Sequence, residues 1–357
     1  MKFLEVIGTW INRHFANEEA IYLVVFTIVS MVVLLTIGRM LAPVFTGLII
    51  AFLLQGLVTP LVRFKVPELV AVNLVFLIFL GALIAAVLFI FPIISQQGYA
   101  FLNSLPEILA TLQATLEQLP ARYPGLLSEE QVSVWLDVAI AELSQIGPRF
   151  VQYSLASLPS LIVLFIYFIL VPILVFFFLK DRRTLMAWFQ SLLPAERPLL
   201  DQVGTEMNRQ MANYVRGKVV EIMIVGVVTY IAFALLGMKY AAFLALIVGI
   251  SVIVPFIGAA VVTVPVALLG FVQWGWSLEF AYLMITYSII QALDGNVLVP
   301  ILFSEAVDLH PVTIIVAVLA FGGLWGLWGV FFAIPLATLI KAIYTAWPRQ
   351  PVAEAAD

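Results

Sequence analysis

The sequence predicts an all-α polytopic membrane protein with about eight transmembrane segments, some broken or re-entrant, plus helical extramembrane segments. Three observations carry that reading. The 357 residues are 64% apolar or aromatic and only 11% charged, with a mean hydropathy of +1.13. A soluble domain is roughly half apolar and about a quarter charged, and its limited interior could not hide the excess. The apolar residues fall in long runs, and a helix needs about 20 of them to cross the hydrocarbon of a bilayer. The Lys and Arg are gathered in a few intervals between those runs. The same composition excludes function classes. A net charge of -4 and a pI near 5.3 offer no basic face for a polyanion, so no nucleic-acid partner is expected. The chain has no Cys, which removes disulfides, thiolate metal sites and thiol nucleophiles.

Taken in order, residues 1–19 carry Phe3, Ile7, Trp10, Ile11 and Phe15 at helical spacing, with Lys2, Glu5 and Arg13 between them. That pattern predicts an amphipathic helix in the membrane interface rather than a cleaved leader. Three spans follow within 20–95, at 20–37, 44–62 and 69–94, the first two joined by a turn at Gly38–Pro43. Residues 96–152 are more polar. Phe101, Leu105, Ile108, Leu112, Leu116 and Leu119 recur at spacings of three and four there, which predicts a helix, and a second helical piece is expected near 132–146. The fourth span, 155–179, lies in the segment 153–179. In 180–218 the residues Leu200, Val203, Met207, Met211 and Tyr214 again share one helical face. Arg216 and Lys218 close that segment at the membrane, where anionic headgroups would anchor them.

The C-terminal membrane domain, 219–347, holds apolar runs at 219–236, 240–272, 280–303 and 312–344, and a tail at 348–357 ends the chain. Runs 240–272 and 312–344 are too long for one plain helix across ~30 Å, which predicts breaks, tilts or hairpins. The basic segment holds Lys180, Arg182, Arg183, Arg197 and Arg209 as well as Arg216 and Lys218. Segment 96–152 has Arg122 and Arg149 against Glu107, Glu117, Glu129, Glu130, Asp137 and Glu142. Positive charge marks the cytoplasmic side, so 180–218 and both termini are expected in the cytoplasm and 96–152 in the periplasm.

Ionisable groups deep in a span are costly and are functional candidates by default. Asp294 is the foremost, with Gln291 and Asn296 beside it and Gly295 and Pro300 weakening the helix. The competing reading is an interfacial turn whose Asp caps a helix. A second interruption is Ser251-Val-Ile-Val-Pro255-Phe-Ile-Gly258, where Pro255 removes a backbone donor and Gly258 permits sharp geometry. Paired Gly/Pro interruptions point to a transporter's binding site, although a plain structural kink fits this stretch alone. A third feature places Gly322, Gly323, Gly326 and Gly329 ahead of Pro335, with Trp325 and Trp328 among them. Gly323, Gly326 and Gly329, three apart, suggest a smooth strip for close helix packing, with a hinge as the sharper reading. His310, before Pro311, reads as a loop residue at a helix start. No phosphate-binding loop ending in Lys-Ser or Lys-Thr occurs, and no His-Glu-x-x-His; His14 and His310 are the only histidines. No enzyme activity, cofactor or metal is expected.

These residues carry a resemblance that spans essentially the whole chain. It is densest in 171–181, Tyr214-Val-Arg-Gly-Lys218, Val254-Pro-Phe-Ile-Gly258, Gln291-Ala-Leu-Asp-Gly-Asn296, 303–311 and 322–335. On these motifs the chain resembles the AI-2E transporter family. The resemblance implies a multi-pass permease of the bacterial inner membrane with a large outward segment after the third span. It further implies export of autoinducer-2 or antiport of a monovalent cation with protons, and a pentameric homo-oligomer. The resulting expectation is a secondary transporter of a small polar solute or cation. Asp294 would couple protons or ions, with Gln291, Gly295, Asn296, Ser251, Pro255 and Gly258 along the path. The alternative expectation is a non-transporting assembly factor that organises envelope proteins through 96–152.

Overall fold

The computed structural model describes residues 18–38, 40–117, 158–194, 197–303 and 309–346. The expected interfacial helix before residue 18, the helical piece near 132–146 and the tail 348–357 lie outside these residues. Among the described residues the elements are helices, with no strand. The chain is an all-α polytopic membrane protein.

Helix α1 is Glu18–Ile37 and α2 is Ala42–Arg63. Pro43 sits in the first turn of α2, where a missing N–H costs nothing. Helix α3, Glu68–Ala85, passes through a π turn at Ala86–Ile90 into α4, Phe91–Leu116. The third span and the helix expected from 99 onward are therefore continuous. Ser95, Gln96 and Gln97 are polar but stop nothing, and Pro92 lies two residues past the π turn, in the first turn of α4. Helix α5 is Leu158–Lys180, the short α6 is Arg182–Ser191, and α7 runs 38 residues over Pro198–Leu235. Charged and apolar stretches read separately at 198–218 and 219–236 are thus one helix.

The run 240–272 divides into α8, Ala241–Ser251, and α9, Ile257–Trp274. At 11 residues α8 is about 16 Å long, too short to cross a bilayer. Helix α10, Leu278–Leu293, starts at Ser277, whose hydroxyl accepts from the Phe280 N–H. It continues through a π turn at Asp294–Leu298 into α11, Val299–Phe303. The last run also divides, into α12, Pro311–Trp325, and α13, Leu327–Ala346. His310 caps α12, its Nδ1 accepting from the Val312 N–H at 3.2 Å. Six of the described helices are long and apolar enough to cross a membrane.

The described residues form two compact units. The first comprises those up to Val75, those of Val171–Lys218 and those from Leu302 onward. Here Gly47 lets α2 approach α5, since a Cβ would stand 2.9 Å from Leu174 Cβ. Tyr214 of α7 donates to the Phe331 carbonyl at 2.8 Å, and its ring lies 5.9 Å from those of Phe303 and Phe331. The second unit comprises the described residues of Phe76–Leu170 and Val219–Ile301. Its core gathers Ile108 of α4, Val225 and Phe233 of α7, Leu244 and Val248 of α8, Val262 and Val266 of α9, and Leu283 and Tyr287 of α10. Gln97 of α4 caps α8 from outside, its Oε1 accepting from the N–H groups of Ala242 at 3.0 Å and Phe243 at 3.1 Å. Two orphan donors of a helix N-terminus are met this way.

Candidate substrate and ion path

Both interruptions singled out in the sequence lie in the second unit. The first is the corner between α8 and α9. Helix α8 ends at Ser251, and the Val254 N–H donates back to the Ser251 carbonyl at 3.0 Å. Pro255 follows, and Phe256 turns the chain at φ 62°, ψ -52°. Across it the Ile257 N–H donates to the Pro255 carbonyl at 2.6 Å. That is the γ-turn with positive φ, a rare and strained form, here built on a residue with a full side chain. Gly258 is buried, and a Cβ there would overlap the Ser251 carbonyl oxygen. The two helices fold back on each other so tightly that only glycine fits. Ser251 itself is buried and donates to the Val248 carbonyl at 2.7 Å, inside its own helix.

The second interruption is the π turn that opens at Asp294. Asp294 is half-buried, whereas Gly295 and Asn296 are exposed. Asn296 Nδ2 donates to the Ala292 carbonyl at 2.8 Å, so it is occupied by its own helix. Gln291 Nε2 instead donates to the Tyr287 hydroxyl at 2.9 Å. That hydroxyl lies 3.1 Å from Thr263 Oγ1 and 3.4 Å from the Ala259 carbonyl, to which Thr263 donates at 2.7 Å. A polar chain therefore leads from Gln291 through Tyr287 to the first turns of α9, directly after Gly258. The structure joins Gln291 to the Pro255–Gly258 corner by this chain, whereas Asn296 bonds to its own helix.

Tyr287 and Thr263 escape sequence reasoning because a Tyr and a Thr pass unmarked in an apolar run. Tyr287 is only 2% exposed, so its hydroxyl must find partners inside the protein. Tyr287→Phe removes the group that receives Gln291 and meets Thr263. The expected loss is about 1–2 kcal/mol of stability, read as a lower midpoint of thermal unfolding in detergent. An unchanged midpoint would show that the chain of hydrogen bonds holds nothing together.

Two ionisable residues also prove deeper than their sequence positions suggest. Glu221 of α7 is 2% exposed; it lies inside the apolar run 219–236, where a single acid three residues past the charged edge passes unmarked. Lys218 is corrected from a headgroup anchor: it is 4% exposed, with Nζ 5.1 Å from the Phe303 ring centroid. A desolvated ammonium gains from such an aromatic face. Thr229, further along α7, is fully buried, and its Oγ1 has no hydrogen-bond partner among the described residues.

The glycines of the last run divide by role. Gly326, at φ 60°, is the reversal between α12 and α13. Gly329 presses on the Phe321 carbonyl and Gly322 on Val330, so these two carry the close packing. An added Cβ at Gly323 or Gly326 would meet nothing within 4 Å, so the expected strip of 323, 326 and 329 does not form. The reversal at Gly326 puts 323 and 329 on different helices. Pro335 lies inside α13, and the Thr338 hydroxyl donates to its carbonyl at 2.7 Å.

Comparison with known proteins agrees with this architecture. The profile of the AI-2E family transporters matches residues 21–349. The Escherichia coli (strain K12) protein named "Putative permease PerM" is 42% identical over 351 residues, 98% of this chain and 99% of its own. The Bacillus subtilis (strain 168) protein named "Putative transport protein YueF" is 26% identical over 308 residues, 84% of this chain and 83% of its own. A similarly named Mycobacterium tuberculosis protein, MT0215, is 24% identical over 92% of this chain and 90% of its own. By a profile match over nearly its whole length and a relative of this identity and coverage, the chain belongs to the AI-2E transporter family.

Proposed function

We propose that the protein is a secondary transporter of the bacterial inner membrane. It moves a small polar solute such as autoinducer-2 outward, or exchanges a monovalent cation, with proton or ion coupling at Asp294. One observation carries the reading. Two interrupted helices of one unit, α8–α9 at Pro255–Gly258 and α10–α11 at Asp294–Leu298, are linked through Gln291, Tyr287 and Thr263. Irregular backbone at membrane depth is tolerated where it is buried in protein or lines a cavity, and transporters place solute and ion sites at such breaks. The C-terminal end of α8 presents partial negative charge suited to a cation. Asp294 can hold a proton or ion and release it, while the hydroxyl and amide groups receive a polar solute. The family name and the relatives' names as permease and transport proteins support transport as the role.

Both termini belong to the cytoplasmic side in this reading, by the distribution of Lys and Arg, and a homo-oligomer, a pentamer by family resemblance, is the working assembly. The test is flux into proteoliposomes under sodium and proton gradients, with autoinducer-2 and then a wider panel of polar solutes, and an internal pH dye. Flux that follows the gradient is the expected result. Silence across the whole panel from well-folded protein would overturn the proposal. In that event, deletion within 96–152 would abolish complementation if the chain acts as an assembly factor.

A further inference from the structure

We infer that α6 and the α2–α3 turn together form an interfacial binding surface for anionic phospholipid headgroups. Leu185, Trp188, Phe189 and Leu192 fall at i, i+3, i+4 and i+7, one side of a helix, while Arg183, Ala187, Gln190 and Ser191 occupy the other. In a soluble protein the apolar side would be buried. Here it is bare: Trp188 is 62% exposed and Leu192 63%. Among the described residues only Phe189 of this face meets a ring, that of Phe26 in α1, at 6.1 Å.

Continuity with the bilayer names the occupant. A single residue, Asp181, separates α6 from the end of α5, an apolar helix whose outward Phe165, Ile169, Ile173 and Phe177 need lipid around them. A helix tethered so closely to a span, with a large apolar face and a polar one, lies at the headgroup and acyl boundary. Trp suits that depth, with its ring in the apolar layer and its N–H in the wet one.

Charge then selects the lipid. Lys180, Arg182 and Arg183 surround the start of α6 against the one acid Asp181. An ion pair between Arg183 and Glu68, at 2.9 Å, fixes a second basic corner at the same level. Glu68 opens α3, so the preceding turn brings exposed Arg63 and Lys65, with Phe64 between them, to the same rim of the first unit. The Arg183–Glu68 pair is open to water and adds little to stability by itself. Its use here is geometric, in marking the start of α6 and the α2–α3 turn as neighbours. An anionic headgroup gains about 1 kcal/mol per basic side chain near the surface, roughly five-fold in local enrichment.

The experiment uses the full chain in nanodiscs of equimolar phosphatidylglycerol and phosphatidylcholine. Because the chain has no Cys, Leu192→Cys and Gln190→Cys each give one labelling site for an environment-sensitive fluorophore. The label at 192 should report an apolar medium and the label at 190 a wet one. Lipid carried by the detergent-purified protein should be enriched roughly five-fold in phosphatidylglycerol. That enrichment should fall toward unity in the combined variant Arg63→Gln, Lys65→Gln, Arg182→Gln, Arg183→Gln. Equal environments at 190 and 192 would overturn the placement of α6. Unchanged phosphatidylglycerol enrichment in the combined variant would overturn the assignment of the headgroup site, and the two labels remain informative if that variant folds poorly.

Discussion

Gly258→Ala is expected to disrupt the α8–α9 corner, costing more than about 4 kcal/mol. The added methyl would overlap the Ser251 carbonyl oxygen and stand 2.7 Å from the Ser251 carbonyl carbon. Both are backbone atoms of a helix end, so neither can swing aside as a flexible side chain would. Relief requires α8 and α9 to part, and that would open a core in which Val248 and Val266 are fully buried. Gly295→Ala is the matched control. Nothing lies within 4 Å of its added methyl, and Ala suits a helical backbone better than Gly by up to about 1 kcal/mol. Thermal unfolding of the detergent-purified variants should therefore move in opposite directions. A Gly258→Ala protein that melts with wild type would mean that the corner relaxes freely and is no rigid feature.

Asp294→Asn should leave folding within about 1 kcal/mol of wild type and abolish coupling. The amide matches the carboxylate in size, and Asp294 is only half-buried, so packing is preserved. What changes is chemistry, since the amide neither binds and releases a proton nor carries a charge for a cation. In the proteoliposome assay gradient-driven flux should fall to the protein-free background. Asn296→Ala should retain flux, because Asn296 is exposed and bonded to its own helix. Coupled transport that persists in Asp294→Asn would remove Asp294 from the mechanism and move attention to Glu221, an acid buried in the apolar stretch of α7.

Much of the fold was legible before the structure because membrane helices announce themselves by apolar length. The breaks were legible too: Pro255 with Gly258 and Gly326 within its glycine cluster all mark real reversals. Helix ends were not, because polarity does not stop a helix in water. So α3 and α4 run together past Ser95–Gln97, and α7 runs through Lys218 into the apolar stretch. The candidate site was half legible. Asp294 and Gln291 declare themselves by type, whereas Tyr287 and Thr263 matter through partners brought from another helix. Depth is also invisible in a linear pattern. Lys218 reads as an anchor until Phe303 is found beneath its ammonium group.

The π turn at Asp294–Leu298 acts as a phase shift in the helix that carries it. It holds one residue more than an α turn would, so every side chain after it is rotated by about 100° from where an uninterrupted helix would present it. The facing of Val299–Phe303 is thus set by a surplus residue as much as by residue type. Loss of a single residue there would restore the α-helical ladder of hydrogen bonds and leave the following segment facing the same side, whereas regular α geometry with all the residues kept would turn it away.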